Sequence, residues 1–239
     1  MSLNIAVVKE KFVWTESSLD DLEKSLSPER FATYITSSGG DRIRAAQLYI
    51  RNSALSAAFY GPLQGLEVAL RNAMHIQISR KYGADWYDNK ATVLDARTSG
   101  EIAIVRAKLL KEGHIANPPN MVAAMPFGFW IALLGKGGQL DAGGKANYEM
   151  TLWRSGLYKV FPFKRLNRET AYHRIDHLRI FRNRIAHHEP IFKRQLEKDF
   201  ASILEVAGWI SPNTAAWISH HRRVPELLAQ SPGDPALKF

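Results

Sequence analysis

The chain contains no cysteine. That excludes disulfide staples, thiolate metal sites and a cysteine nucleophile. No apolar run reaches the roughly 18 residues that a bilayer-spanning helix needs, so no membrane partner is expected. The first residues lack the basic start and long apolar stretch of a secretory signal, and Met1-Ser2-Leu3 is compatible with an expression scar. Strict period-two alternation is missing, so half-buried strands are not expected. No internal repeat and no clear linker show. These absences point to a soluble protein of a reducing compartment, the cytoplasm.

What is present is a core and a charge. With 46% hydrophobic and 10% aromatic residues over 239 positions, the chain can bury a sizeable interior and is not disordered. The net charge is +9, and it is not spread evenly. Between Thr151 and Arg194 the chain carries eleven Lys or Arg against three acids, Glu169, Asp176 and Glu189, which makes that window +8 and leaves the remainder close to neutral. Basic clustering on this scale is the footprint of a polyanion, most often nucleic acid.

Punctuation along the chain predicts an all-α fold. Ser17 to Glu23 reads as a capped short helix, and Ser27-Pro28 as the N-cap and first residue of another. A helical pattern runs from Arg42 to Tyr60. Gly61-Pro62 is expected to break it, and a second helix continues to about Tyr82, stopped by Gly83. Further helices are expected from Gly100 to Leu110, from Met121 to Leu134, from Asn167 to about His187, from Leu196 to Ala207 with Gly208 as its end, and from Pro212 to Leu228. Tyr148 to Phe163 is helical or irregular. Asn117 to Asn120 reads as a loop. Gly135 to Gly144 is glycine-rich, but its spacing is wrong for a Walker phosphate loop. Gln139 stands where the first glycine belongs, Ala146 where Ser or Thr belongs, and no strand precedes it. It is expected to be a flexible connection.

The segment Arg182-Asn183-Arg184-Ile185-Ala186-His187-His188-Glu189-Pro190 carries the most chemistry. On a helix, Ile175, Leu178, Phe181 and Ile185 form an apolar stripe, and Arg182 falls inside it. A guanidinium aimed at a core is costly unless paired. Glu67, on the edge of the stripe of the 62–82 helix, is the expected partner. A buried Arg–Glu strut and an Arg182 that snorkels to water are the structural alternatives. His187 would lie about 140° from Arg182 on an unbroken helix, but Pro190 is expected to unwind this end so that the imidazole turns back. An imidazole can take the proton of a ribose 2′-hydroxyl, and a guanidinium can neutralise the charge of a phosphorane, with no metal required. Random placement at this composition gives only about 0.03 copies of Arg-Asn-x-x-x-His. Arg71-Asn72-Ala73-Met74-His75 is a near copy with one residue fewer. His173 and His177, one helical turn apart, lack the glutamate and third ligand of a zinc site.

RNRIAHHEPIF, from Arg182 to Phe192, resembles the signature of the Abi-like family (AbiD/AbiF type), bacterial proteins linked to abortive phage infection. Leu66 to Asn72 with Tyr82 to Trp86, and Met125 to Trp130, resemble two further stretches of that family in the same order. The resemblance covers most of residues 30–225. The family belongs to the HEPN superfamily, so it implies an all-α helical bundle, usually dimeric, with additional N- and C-terminal helices. The implied organisation is an extension over 1–29, the HEPN domain over 30–228 and a loose tail over 229–239.

The superfamily motif is Arg, four to six residues, then His. By resemblance Arg182, Asn183, His187 and His188 are catalytic residues of a metal-independent endoribonuclease without a cofactor, and Glu67 supports Arg182. Arg174, Arg179, Arg184, Lys193 and Arg194 are expected to bind RNA. The implied partners are RNA, a second copy completing a composite cleft, and an antitoxin or phage-derived trigger. A module that binds RNA or nucleotide without cutting it is the alternative.

Overall fold

The computed structural model describes residues 12–239. The suggestion about Met1-Ser2-Leu3, and the start of the expected extension, lie outside the described residues. Among these residues there is no β-strand, only an isolated bridge between Gln139 and Lys145. The fold is all-α. Ten α-helices follow in order: α1 Glu16–Leu26, α2 Pro28–Ser37, α3 Arg42–Tyr82, α4 Ala96–Lys111, α5 Pro118–Ala124, α6 Phe127–Ala132, α7 Arg168–Ala186, α8 Leu196–Ile210, α9 Pro212–His220 and α10 Val224–Leu228. Two 3-10 turns, Lys90–Thr92 and Leu157–Val160, and a π turn, Glu149–Trp153, lie between them.

Contacts divide the chain into two compact units, one holding the residues up to Ala54 together with Ala229–Phe239, the other Leu55–Leu228. In the first, Thr15 caps α1 in a reciprocal box with Ser18, and Ser27 caps α2 ahead of Pro28. The Arg42 guanidinium meets three carboxylates of α1: Glu16 at 3.0 Å, Asp20 at 2.6 Å and Glu23 at 3.1 Å. The tail is tied rather than loose. Arg51 Nε donates to the Gln230 carbonyl at 2.7 Å, Leu237 is buried, and Gly233 takes a left-handed φ of 91° against the Gln47 side chain.

The second unit is centred on α3, α7 and α8. Leu55, Phe59, Leu63, Leu66, Leu70, Met74 and Ile78 recur every three or four residues and are all buried. Ala171, Ile175, Leu178, Phe181 and Ile185 form the matching stripe of α7. Phe59 meets Phe181 edge to face at 4.9 Å and Phe200 of α8 at 6.3 Å. Trp86, Phe129 and Trp130 make a second aromatic cluster.

Several local signals lose to packing. α3 runs unbroken through Gly61-Pro62. An interior proline costs about 3 kcal/mol, but fully burying Leu63, Leu66 and Leu70 contributes about 1.5–3 kcal/mol each. α8 likewise passes through Gly208, and α4 begins at Ala96 because Asp95 caps it, leaving Gly100 inside. Asn117-Pro118 opens a short helix instead of a loop, with Asn117 accepting from the Asn120 amide. The expected helices at 121–134 and 212–228 are each split in two.

The glycine-rich connection is pinned. Gly138 N–H donates to Asp95 Oδ2 at 2.7 Å, Ala96 N–H to the Gln139 carbonyl at 2.8 Å, and Ala146 N–H to the Gly138 carbonyl at 2.9 Å. Burial pushes the Asp95 carboxyl up, but hydrogen bonds from Thr98, Gly138 and Tyr148 outweigh it and hold the group below the usual carboxylate range.

Candidate functional site

Asn167 starts α7 by accepting from the Thr170 amide. The helix then carries Arg182 and Asn183 in its last turns. Both are half-buried. Arg182 Nε lies 3.6 Å from Glu67 Oε2, with side-chain exposures of 35% and 19%. The expected pair therefore forms, as an ion pair beyond hydrogen-bond length. Among the described residues the Arg182 guanidinium makes no hydrogen bond, so its N–H donors remain available to an anion.

The helix end differs in detail from the expected unwinding. His187 is the C-cap, at φ −92° and ψ 9°, and its N–H still bonds the Asn183 carbonyl at 2.9 Å. The helical offset between Arg182 and His187, about 140°, thus persists through the His187 amide. The reversal comes one residue later. His188 takes φ 56°, its N–H bonds the Ile185 carbonyl at 3.0 Å, and Glu189 N–H bonds the Arg184 carbonyl at 2.8 Å. These two bonds make a Schellman turn, with a histidine at the position that glycine usually fills. Both imidazoles are exposed. Among the described residues that of His187 makes no hydrogen bond or ion pair, so it is not joined to Arg182 within one chain.

The near copy of the motif is settled by its partners. Trp86 Nε1–H donates to His75 Nδ1 at 3.1 Å, and Arg71 donates to the Ala123 carbonyl at 3.2 Å. Burial lowers the His75 pKa below the ordinary imidazole value. Both side chains are committed to holding the fold.

The five expected RNA-binding cations fall in different settings. Arg179 is paired with Asp176 at 2.6 Å, and Arg184 with Glu189 at 3.3 Å. Arg174, Lys193 and Arg194 instead line a cavity of about 520 Å³ with His177, Gln195, Lys198, Asp199 and Ser202. Within it Asp199, only 3% exposed, accepts two hydrogen bonds from Arg194, each 2.8 Å, and lies 3.0 Å from His177 Nε2. Arg194 also covers the Phe181 ring at 4.9 Å. Sequence reasoning missed Lys198, Asp199 and the role of His177. His173 faces Glu169 at 3.7 Å, so the two histidines meet different carboxylates. No periodic signal could have joined His177 to an acid 22 positions away.

No family model matches this chain, and no match was found among curated proteins or solved structures.

Proposed function

We propose that this protein is a metal-independent endoribonuclease, a toxin-like effector of bacterial phage defence, with Arg182, Asn183, His187 and His188 at its centre. The observation that carries the reading is the end of α7. A half-buried guanidinium is positioned by Glu67 but keeps its hydrogen-bond donors uncommitted, just ahead of two exposed histidines, the second held left-handed. In the reaction His187 removes the 2′-hydroxyl proton, the 2′-oxygen bonds to phosphorus, and the bond to the 5′-oxygen breaks. The leaving oxygen takes up a proton, giving a 2′,3′-cyclic phosphate and a 5′-hydroxyl end. Arg182 neutralises the phosphorane, and Asn183 and His188 orient the phosphate. In a composite cleft, His187 of one copy would act beside Arg182 of another, which removes the need for the two to touch within a chain.

The test is incubation of total RNA with wild type, His187→Ala and the Arg182→Ala, His187→Ala double variant, followed by mapping of cut ends. Wild type should cleave in the presence of chelator and leave cyclic phosphates. Loss of the acid–base group alone should cost about 10²–10⁴-fold. Cleavage retained by the double variant would remove the assignment. A second reading, RNA binding without cleavage, is favoured by the single-chain separation of His187 from Arg182. Tight RNA binding with no cut ends from wild type would select it.

A further inference from the structure

A second anionic-ligand site stands on another face of α7, and it does not depend on the cleavage reading. His177 lies about 140° around the helix from Arg182, whereas Arg174 and His177, three residues apart, share a side. The loop after α7 and the first turns of α8 bring Lys193, Arg194 and Lys198 to the same cavity. Four permanent cations thus line one space against a single carboxylate. Asp199 is already spent on Arg194 and His177. Among the described residues Arg174, Lys193 and Lys198 have no carboxylate partner. Like charges gathered round one enclosed space repel one another. The cost is recovered when an anion enters.

Three further observations aim the site at phosphate. The bidentate Asp199 contact and the Phe181 ring hold Arg194 flat and in place, which preorganises a guanidinium for oxygen pairs. A carboxylate can only accept, so the proton on His177 Nε2 points to Asp199, leaving Nδ1 as the ring's remaining polar atom. α8, 15 residues long, has Gln195 at its N-cap with no side-chain hydrogen bond to its first amides. Its positive end therefore adds to the field beside Gln195 and Lys198. The volume, about 520 Å³, is within the range of small-molecule sites.

We infer that the cavity formed by Arg174, His177, Lys193, Arg194 and Lys198 over buried Asp199 is a phosphate-binding site separate from the Arg182–His187 end of α7. The phosphate can belong to a nucleotide or to the backbone of an RNA strand, and the experiment separates the two. Wild type, an Arg174→Gln/Lys198→Gln variant and an Arg182→Ala variant are titrated with inorganic phosphate, with uridine monophosphate, and with a 2′-O-methyl hexauridylate. The methylated strand cannot be cleaved through its 2′-oxygen, so failure of the nuclease reading leaves the result unaffected. The readouts are affinity and the NMR signal of the His177 ring. Arg174 and Lys198 are exposed, so their double replacement should not disturb folding. Thermal melts of each variant check that.

Binding of phosphate-bearing ligands should shift the His177 signal in wild type and in Arg182→Ala alike. It should weaken at least tenfold in Arg174→Gln/Lys198→Gln. Equal affinity for the mononucleotide and the strand identifies a nucleotide site. Binding of the strand alone, falling steeply with salt, identifies a backbone site. No binding by wild type, binding unchanged in Arg174→Gln/Lys198→Gln, or binding abolished by Arg182→Ala would each overturn the assignment.

Discussion

Replacing Glu67 by Gln keeps the side chain's size and removes the charge that positions Arg182. At the observed 3.6 Å, the Coulomb attraction is about 1 kcal/mol in bulk water and about 4–5 kcal/mol at an effective dielectric near 20. With the guanidinium 35% exposed and the carboxylate 19% exposed, the pair belongs between a solvated contact and a sealed one. Solvated pairs contribute roughly 0–1 kcal/mol, whereas breaking a buried pair costs about 3–5 kcal/mol. A net coupling of about 1–2 kcal/mol is expected. It is measured by urea unfolding of wild type, Glu67→Gln, Arg182→Gln and the double variant as a cycle. The same four proteins are then compared in RNA cleavage. Glu67 acts through Arg182, so Glu67→Gln should lose about tenfold while losing Arg182 costs about 10²–10³-fold. The cycle separates a positioning role from a steric one, because only positioning vanishes once Arg182 is gone. A coupling below about 0.3 kcal/mol, within the error of additivity, would refute the claim that Glu67 holds this arginine.

Three further outcomes are expected. His188→Gly relieves a left-handed residue at φ 56°, worth about 1–2 kcal/mol, but loosens the unfolded chain by about 0.5–1 kcal/mol. Urea unfolding should therefore show stability equal to wild type or higher by up to about 1 kcal/mol, while RNA cleavage drops; a destabilised but fully active variant would contradict both halves. His75 titrates below the ordinary imidazole value because it is buried, so the unfolded chain binds this proton first as pH falls. Its contribution is therefore intact above about pH 6.5 and is lost as pH drops below that, with a limiting slope near 1.4 kcal/mol per pH unit. The wild-type minus His75→Gln stability difference, followed from pH 8 to pH 5, should decline in that direction; a flat difference would show that His75 is not held neutral. Gly137 has φ 85°, and a Cβ there would meet the Ala146 carbonyl oxygen at 2.6 Å. Gly137→Ala should cost about 2–4 kcal/mol by thermal or urea unfolding, whereas a free connection would tolerate it.

The all-α class was legible because helix signals are local. Ser27-Pro28, Asn167 and Gly83 mark ends that the folded chain uses, and the apolar spacing of α3 and α7 marks the buried faces. The Glu67–Arg182 pair was legible for a related reason. Each residue sits at the edge or inside of an apolar stripe, so each advertises a need for the other. Where two local rules met opposing burial, the chain followed burial. α3 crosses Pro62 and α8 crosses Gly208, because a penalty of about 1–3 kcal/mol at one residue is smaller than the apolar area gained on either side. The glycine-rich connection looked free because glycine codes for permitted φ values and says nothing of Asp95, 43 residues earlier, whose carboxylate fixes Gly138. The same limit hid the cavity over Asp199. Charge counting found a basic window, but Arg179 and Arg184 have carboxylates beside them while Arg174, Lys193 and Lys198 do not. Which cations converge on one space depends on how α8 lies against α7, and that is set by Phe59, Phe181 and Phe200 packing far apart in sequence.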